Sequence, residues 1–469
     1  MRERGTIIKQ RQRNLHTGLL YPDTYEIAMS SLAYQRLYFV LNNSEGVLCD
    51  RFVSNRAKSL EHNLSPRDIK IAFITVPFIL CTNYVVSYCH YYLNPHNVLT
   101  CIGGAGVTAN PKLFKHCKAL VFTGSIEENL ENIRTIMRMV KAGVPNEVII
   151  NEMQPILDGI PIGYENNGIL EYDPPCSVIY TSETEFSNMH LIEISRGCRG
   201  SCNFCMSRHL YGHYREFEYE RIIKAVDAAP DYIKSIGLIG DAVLSHSRIK
   251  DIVNYILHKK KRPAFASIRI ADLNDDKIPL ILKSRVKTIT IAPEVASEKL
   301  MRVTNKYYNR DALFCSLKEL IKNGVVNIKL YMMIGLPNES REDIFELIDF
   351  IRELRGLLVD LSKKKGRLGI LKVTINNFVP SPFTPLFSCN PDEIKNLEYK
   401  QTLIKTELSN LSNLTISMMD IFDTLYQTAL FRANDDYARK ILLTDLNLVK
   451  RAFREDTDFA NDILKLCYS

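Results

Sequence analysis

Three cysteines stand close together in a chain whose other cysteines are widely spaced. Cys198, Cys202 and Cys205 follow the pattern Cys-x3-Cys-x2-Cys, whereas the other nine cysteines lie alone. Thiolates are soft ligands, and three at this spacing can surround one iron–sulfur cube and leave its fourth iron open to another molecule. An isolated cysteine is more often a small buried apolar residue. The trio therefore predicts an open iron–sulfur centre.

Two other uses of the trio stay open from the residues alone. A zinc site would need a fourth ligand, for which His209 and His213 are the nearby candidates. The thiols could instead be structural, whereas a disulfide is disfavoured in the reducing cytosol. The metal content of the purified protein separates these alternatives.

The trio directly follows the first of six apolar strands that alternate with helices. The strands are predicted over 191–195, 236–239, 264–268, 288–291, 328–334 and 373–378. Helices are predicted between them, over 218–228, 247–258, 276–283, 310–323 and 341–357. This alternation is typical of a partial (β/α)6 TIM-like barrel, in which the loops after the strands carry the chemistry.

A second alternating series precedes the barrel. Buried strands are predicted over 69–78, 98–102 and 119–122, and a helix over 127–140. Such a series predicts a Rossmann-like, doubly wound parallel sheet at the N-terminal side. The fold class is therefore α/β, with a helical C-terminal tail whose helices are predicted over 394–411 and 438–453.

Changes in composition divide the chain into five regions. A basic arm over 1–20 contains five basic residues, and a connector over 143–188 is rich in Pro, Gly and Asn. We expect the doubly wound domain over 21–142, the partial barrel over 189–390 and the helical region over 391–469. For the arm, a solvated tail is favoured over a nucleic-acid contact.

Composition bounds the class of protein. The 469 residues are 46% hydrophobic and 24% charged, which excludes a mainly disordered, coiled-coil or collagen-like chain. The net charge of +7 permits nucleic-acid contact without requiring it. The sequence shows no secretory signal and no apolar run of about 20 residues, so we expect a cytoplasmic protein that does not enter a membrane.

The trio and several longer stretches resemble the radical S-adenosylmethionine (SAM) superfamily, in its cobalamin-binding-type subgroup. The matching stretches are 21–30 and 102–111 in front and 290–294, 329–337 and 377–385 in the barrel. The resemblance implies that Cys198, Cys202 and Cys205 hold a [4Fe–4S] cluster whose open iron binds SAM. It also implies that the reduced cluster cleaves SAM to a 5′-deoxyadenosyl radical, which abstracts hydrogen from the substrate. No catalytic residue beyond the cluster ligands is assigned.

The same resemblance implies residues that bind SAM near the first two barrel strands. Phe204 corresponds to the family's aromatic residue against the adenine. Gly240 and Asp241 stand where the family has a Gly-Gly-Glu-like motif for the SAM amino group, with Asp in place of Glu. A carboxylate can meet the ammonium group with a charge-assisted hydrogen bond.

Four further residues are implied at the ends of later strands. Ser267 and Arg269 lie where family members contact the ribose or the SAM carboxylate, and Glu294 where they place a polar group facing the cofactor. Gly335 corresponds to the backbone site for adenine. The alternative for Arg269 and Glu294 is an ion pair across the barrel mouth.

The resemblance leaves cobalamin open. Relatives that hold cobalamin through a histidine carry Asp-x-His-x-x-Gly, and none of His62, His90, His96 and His116 stands in that motif. Some relatives bind cobalamin without a histidine ligand, and the loops over 103–106 and 123–125 could hold its nucleotide tail. The rival is a degenerate domain that only shapes the substrate cleft.

We therefore predict a radical SAM enzyme for hydrogen abstraction, or for methyl transfer if cobalamin is bound, on an unidentified substrate. The alternatives are a non-catalytic iron–sulfur electron-transfer protein and a nucleic-acid-modifying methyl- or methylthiotransferase. A reductase or ferredoxin-like protein is the expected electron donor. The basic runs over 259–262 and 363–367 precede strands and so lie opposite the trio, which does not favour nucleic acid as a substrate held by them.

Overall fold

A parallel five-stranded sheet forms the front unit of the protein. The structure, a computed structural model, describes residues 3–159, 168–364, 366–434 and 458–468. The first strands are β1 (Glu3–Arg4), β2 (Leu15–Tyr21), β3 (Val47–Val53), β4 (Ile71–Thr75), β5 (Leu99–Gly103) and β6 (Leu120–Phe122). The sheet has the order β3-β2-β4-β5-β6, with all pairs parallel.

Helices cover both faces of this sheet. They are α1 (Tyr25–Ser30), α2 (Leu32–Asn43), α3 (Thr82–Tyr92), α4 (Ala105–Ala109), α5 (Ile126–Lys141) and α6 (Asn146–Asp158). Side chains alternate along β4, so Ile71 and Phe73 join one buried cluster and Ala72 and Ile74 the other. A strand that is buried on both faces reads as a continuous apolar run, which is why the sequence predicted β4.

The barrel unit consists of two arcs of parallel strands. Its strands are β7 (Gly168–Leu170), β8 (Tyr180–Thr181), β9 (Met189–Glu193), β10 (Ser195–Arg196), β11 (Arg215–Phe217), β12 (Ser235–Ile239), β13 (Arg262–Phe265), β14 (Thr288–Glu294), β15 (Asn327–Ile334), β16 (Ile370–Asn377) and β17 (Leu414–Met418). One arc has the order β9-β12-β13 and the other β14-β15-β16-β17. A hydrogen bond from Ile268 N to Thr290 O, 3.1 Å long, joins them.

Helices cover the outside of the arcs. They are α7 (Ser207–Tyr211), α8 (Tyr219–Asp227), α9 (Ile249–His258), α10 (Ile278–Lys283), α11 (Glu298–Thr304), α12 (Arg310–Lys322), α13 (Arg341–Lys363) and α14 (Ile394–Leu408). One large buried cluster joins both arcs to six of these helices, α8, α9, α10, α12, α13 and α14. The predicted α/β class, with a partial TIM-like barrel, is confirmed.

The expected basic arm over 1–20 is shorter than predicted. Residues 15–21 form β2, a central strand of the front sheet, and β1 pairs with β8. The Glu3 carboxylate also forms an ion pair with the buried Arg51. The strand escaped prediction because His16, Thr17 and Gly18 interrupt its apolar run.

Two other expectations are corrected. The first part of the expected irregular connector is α6, and residues 160–167 lie outside the described residues. The C-terminal region is not only helical, because β17 extends the second arc as a seventh parallel strand. The helix predicted over 438–453 lies outside the described residues.

The last two described helices, α15 (Ile421–Arg432) and α16 (Asp458–Tyr468), pack against the front unit. The Asn110 side-chain amide donates hydrogen bonds to the carbonyl oxygens of Leu430 and Ala433, at 2.8 and 3.0 Å. The chain thus returns from the barrel to brace the front sheet. No described helix combines the length and apolar character that a membrane crossing requires.

Candidate functional site

The cysteine loop lies between β10 and α7, at the carboxyl end of the first barrel strand. All three thiols are partly exposed and free of disulfides. The Gly200 amide donates a hydrogen bond to Cys198 Sγ at 3.3 Å. A side-chain carbon added to Gly200 would lie 3.5 Å from Cys198 Sγ and 3.7 Å from Cys202 Sγ. The loop therefore curls so that these sulfurs face one small space.

Positive side chains face this loop. Burial raises the pKa of the Cys198 and Cys202 thiols, while the charge of Arg269 lowers the pKa of Cys198 and that of Lys306 lowers the pKa of Cys202. Arg269 Nη2 would be 3.9 Å from a side-chain carbon on Gly200. The two cations favour the thiolate form that metal binding requires.

The donor set fits a cubane cluster better than a single ion. Among the described residues, no group of three or more His, Cys, Asp or Glu side chains is arranged to hold one metal ion. Each thiolate of a cubane binds a different iron, so its ligands lie further apart than those of one zinc ion. His209 lies beside Phe383 instead, with ring centroids 6.1 Å apart.

Asp241 lies beyond the end of β12, in the wall of a deep cavity. Burial there, and then the negative charge of Glu193, raise the pKa of Asp241 to about 6. Gly240 precedes it, and a side chain at Gly240 would overlap Ser195. The structure therefore presents one accessible carboxylate beside the cysteine loop, where the sequence predicts the SAM amino group to bind.

The three residues predicted at the ends of later barrel strands, Ser267, Arg269 and Glu294, have different surroundings in the structure. Ser267 is exposed, and Arg269 faces the cysteine loop. Glu294 forms an ion pair with Lys306 at 3.1 Å, so the pair between Arg269 and Glu294 that the sequence left open is not the one formed. Glu294 adopts a φ of +69°, a left-handed conformation that is uncommon outside glycine and often marks functional sites.

Gly335 is enclosed by the chain itself. Its φ is +79°, and an added side-chain carbon would lie 2.9 Å from Leu397 and 3.3 Å from Asp392. Its amide donates to Glu339 Oε2 at 2.6 Å. Contact with adenine stays a prediction here and at Phe204, which packs on the buried cluster that contains Leu336.

A cavity of ≈ 720 Å³ separates the front sheet from the barrel mouth. The loops after β4, β5 and β6 form one wall, which includes Phe78, Gly104 and Gly124. The other wall includes Tyr211 and Asp241. The cavity reaches Gly197, which adjoins the first cysteine of the trio. No histidine is among the described residues that line the cavity. Its size is that of a ligand pocket.

Polar side chains at the cavity wall are buried and incompletely hydrogen-bonded. Arg36 Nε and Glu127 Oε1 lie 3.6 Å apart as an ion pair, and Asn129 Oδ1 and Ser195 Oγ have no hydrogen-bond partner among the described residues. A buried polar atom without a partner costs about 1–3 kcal/mol, so these two favour a ligand that donates hydrogen bonds.

Sequence reasoning missed an ion-pair cluster at the cavity wall. Arg196 donates to both carboxylate oxygens of Glu193 at 2.7 Å and to Glu127 of the front unit at 3.0 Å. Glu127 is held in the first turn of α5, whose Ser125 cap exchanges hydrogen bonds with Glu128. The one sequence signal for this ion-pair cluster was the three-residue spacing of Glu193 and Arg196.

Comparison with known proteins identifies the barrel. Residues 192–351, which contain the cysteine loop and Asp241, match the model of the radical SAM superfamily. This stretch is a radical SAM domain. Solved structures share this radical SAM fold across both units. The methyltransferase TsrM from Kitasatospora setae, with cobalamin and a [4Fe–4S] cluster bound, aligns at a TM-score of 0.53 over 94% of this chain and 99% of that one, at 10% identity.

Curated relatives match over shorter stretches. An uncharacterised protein of Methanocaldococcus jannaschii is 27% identical over 48% of this chain and 49% of its own length. A tRNA-2-methylthio-N(6)-dimethylallyladenosine synthase of Clostridium perfringens is 22% identical over 46% of this chain and 47% of its own. The chain thus spans about half the length of these curated relatives.

Proposed function

We propose that the protein is a radical SAM enzyme that holds a [4Fe–4S] cluster on Cys198, Cys202 and Cys205 and a cobalamin in the cavity between its units. The reaction we infer is methyl transfer to a carbon atom of the substrate. The observation that carries the proposal is the convergence of the cysteine loop on a ligand-sized cavity that both units line.

The chain's own residues have defined tasks in this proposal. When bound, the reduced cluster supplies the electron that cleaves SAM, and cobalamin supplies a centre that carries a methyl group. Asp241 neutralises the SAM ammonium group, and Arg269, facing the cysteine loop, receives the SAM carboxylate. The apolar front wall, which includes Phe73, Phe78 and Phe122, excludes water from the reaction.

The cavity suits a cobalamin without a histidine ligand. The rim of a corrin ring carries carboxamide groups, each of which both donates and accepts hydrogen bonds. These groups could satisfy Asn129 Oδ1 and Ser195 Oγ together. Since no described lining residue is a histidine, the cofactor would bind without imidazole coordination from this wall.

An electron donor needs access to the cluster. Arg199 and Ser201, inside the cysteine loop, are exposed. We infer that a reductase or ferredoxin-like protein docks on this side, opposite the cavity ligand.

The decisive experiment measures cofactors and products in protein purified and reconstituted without oxygen. We expect about four irons per chain, a bound corrinoid without nitrogen hyperfine splitting in its Co(II) EPR spectrum, and 5′-deoxyadenosine or S-adenosylhomocysteine after reduction with SAM. The triple variant Cys198→Ala/Cys202→Ala/Cys205→Ala should lose the iron, whereas Cys315→Ala, at an exposed cysteine of α12, should keep it.

Three results would contradict parts of the proposal. Zinc in place of iron would show that the three cysteines hold no iron–sulfur cluster. Iron without any SAM-derived product would favour the alternative of an electron-transfer protein. A cluster with SAM cleavage but no corrinoid binding would leave a radical SAM enzyme whose cavity holds the substrate alone.

A further inference from the structure

One segment of the front unit carries no acidic residue. No Asp or Glu occurs between Asp68 and Glu127, a span of 58 residues. The chain's overall frequency, 53 acidic residues in 469, would place about seven in such a span. Because much of the span is buried sheet, only its exposed positions determine the charge of the surface.

The exposed positions of this span share one chemistry. They carry four lysines, three histidines, two asparagines, two tyrosines and one phenylalanine. Exposed surface of an ordinary domain mixes both signs of charge, whereas the exposed side chains of this span are cationic, amide or aromatic; Lys115 and His116 among them already have an interaction partner. Lysine is depleted in protein–protein interfaces, but it is the usual partner of phosphate groups.

Helix α3 provides the aromatic part. It has no Lys, Arg, Asp or Glu, and it carries four tyrosines. Tyr84, Tyr88 and Tyr92 follow one another at four-residue spacing, so their rings share a face of the helix. Ring centroids of neighbours lie 6.0 and 5.1 Å apart. Tyr84 and Tyr88 pack partly on the buried cluster of the front unit, whereas Tyr92 is 54% and the neighbouring Tyr91 68% exposed.

The neighbouring 3-10 segment, Pro111–Cys117, provides the charge. It packs beside α3. Lys112, within it, and Lys118, which ends it in a left-handed conformation, are both exposed. Phe78 lies four residues before α3, is 67% exposed and lines the cavity between the units. The surface therefore begins at the rim of the candidate active site.

We propose that this tyrosine–lysine face, made by α3 and the 3-10 segment, binds a single-stranded segment of nucleic acid. Successive bases stack on aromatic rings and the backbone phosphates lie along lysines in such complexes. The inference rests on the proposed function for the reaction, and it names the substrate class as a nucleotide within that strand. The face differs from the two basic runs at the opposite end of the barrel.

The test is binding of fluorescein-labelled 12-nucleotide RNA and DNA of one sequence to the full-length protein, by anisotropy at several salt concentrations without SAM or reductant. We expect binding that weakens with salt. The variant Lys112→Gln/Lys118→Gln should lower the slope of log Kd against log salt by about 1.4, because each phosphate contact to a single strand contributes about 0.7. Tyr91→Ala/Tyr92→Ala should weaken binding at least about fivefold at every salt concentration.

A matched control removes the same charge elsewhere. Lys363→Gln/Lys364→Gln changes two exposed lysines at the far end of α13 and should leave both slope and affinity unchanged. Tighter binding of RNA than DNA assigns the strand as RNA, and the reverse assigns DNA.

Three results would overturn the inference. The first is the absence of binding of either strand at low salt. The second is an equal loss of affinity and salt slope in the control variant. The third is binding of poly-glutamate that depends on the lysines but not on the tyrosines, which would assign the face to an acidic protein. Because neither SAM nor reductant is present, these outcomes are independent of the cofactor experiment.

Discussion

At the scale of residues, Asp241 differs from the other accessible carboxylates of the barrel in its surroundings. It lies in a cavity wall near Glu193, with no described cation paired to it, and both effects disfavour its ionised form. A ligand ammonium group would supply the missing positive charge. A carboxylate that waits for a cationic ligand is expected to have such a raised pKa before the ligand binds.

We predict that Asp241→Asn weakens SAM binding about 10- to 150-fold, since a hydrogen bond between charged groups contributes about 1.5–3 kcal/mol. The wild type should also lose affinity as the pH falls through about 6, because protonation removes the negative charge. Calorimetric titration of cluster-loaded protein between pH 5.5 and 8 measures both. Asp251→Asn, at an exposed position of α9, is the control. An unchanged Kd in Asp241→Asn would exclude this carboxylate as the ammonium partner.

At the scale of elements, apolar runs predicted all six barrel strands and the front strands β4, β5 and β6 to within a few residues. The sequence missed β2 and β3 because polar residues interrupt them, and β17 because only five half-exposed residues form it. It missed α6 because Pro155 stands inside that helix. Local pattern cannot reveal elements whose burial comes from distant parts of the chain.

The residues of the candidate site also divide into those that the sequence could predict and those that it could not. Cys198, Cys202, Cys205 and Asp241 follow strands that the sequence could place, so their meeting at the barrel mouth was predictable. The ion pair between Glu127 and Arg196 joins the two units, and neither residue shows this in its local sequence. For Gly335, sequence reasoning identified a need for close approach but could not show that Leu397 is the neighbour.

Two glycines of the barrel allow a matched prediction. Gly335→Ala should destabilise the protein by about 1–3 kcal/mol, because the left-handed φ of +79° and the nearby Leu397 side chain both oppose a Cβ. Gly356→Ala, inside α13 with no atom within 4 Å of its added carbon, should stabilise by about 0.5–1 kcal/mol. Urea denaturation measures both. Similar effects of the same sign would show that the loop after β15 adapts to a side chain.

At the scale of the whole molecule, the described chain connects its two units in several places. Helices α15 and α16 leave the barrel and pack on the front unit, where Asn110 binds the end of α15. On the cavity side, Arg196 links Glu193 of the barrel to Glu127 of α5. Arg196 also stands two residues before Cys198, so the front unit is tied to the cysteine loop through one guanidinium group.

This link predicts a long-range effect of a front-unit substitution. Glu127→Gln removes the negative charge that pairs with Arg196 at 3.0 Å and with Arg36 at 3.6 Å, while Arg196 keeps Glu193, so we expect a loss of about 1.5–3 kcal/mol of stability. Hydrogen exchange should accelerate both at the start of α5 and over residues 193–197. Glu131→Gln makes the same change on the same helix at an exposed position and should alter stability by less than about 0.5 kcal/mol. If the two variants behave alike, Glu193 alone positions Arg196, and the front unit does not hold the cysteine loop.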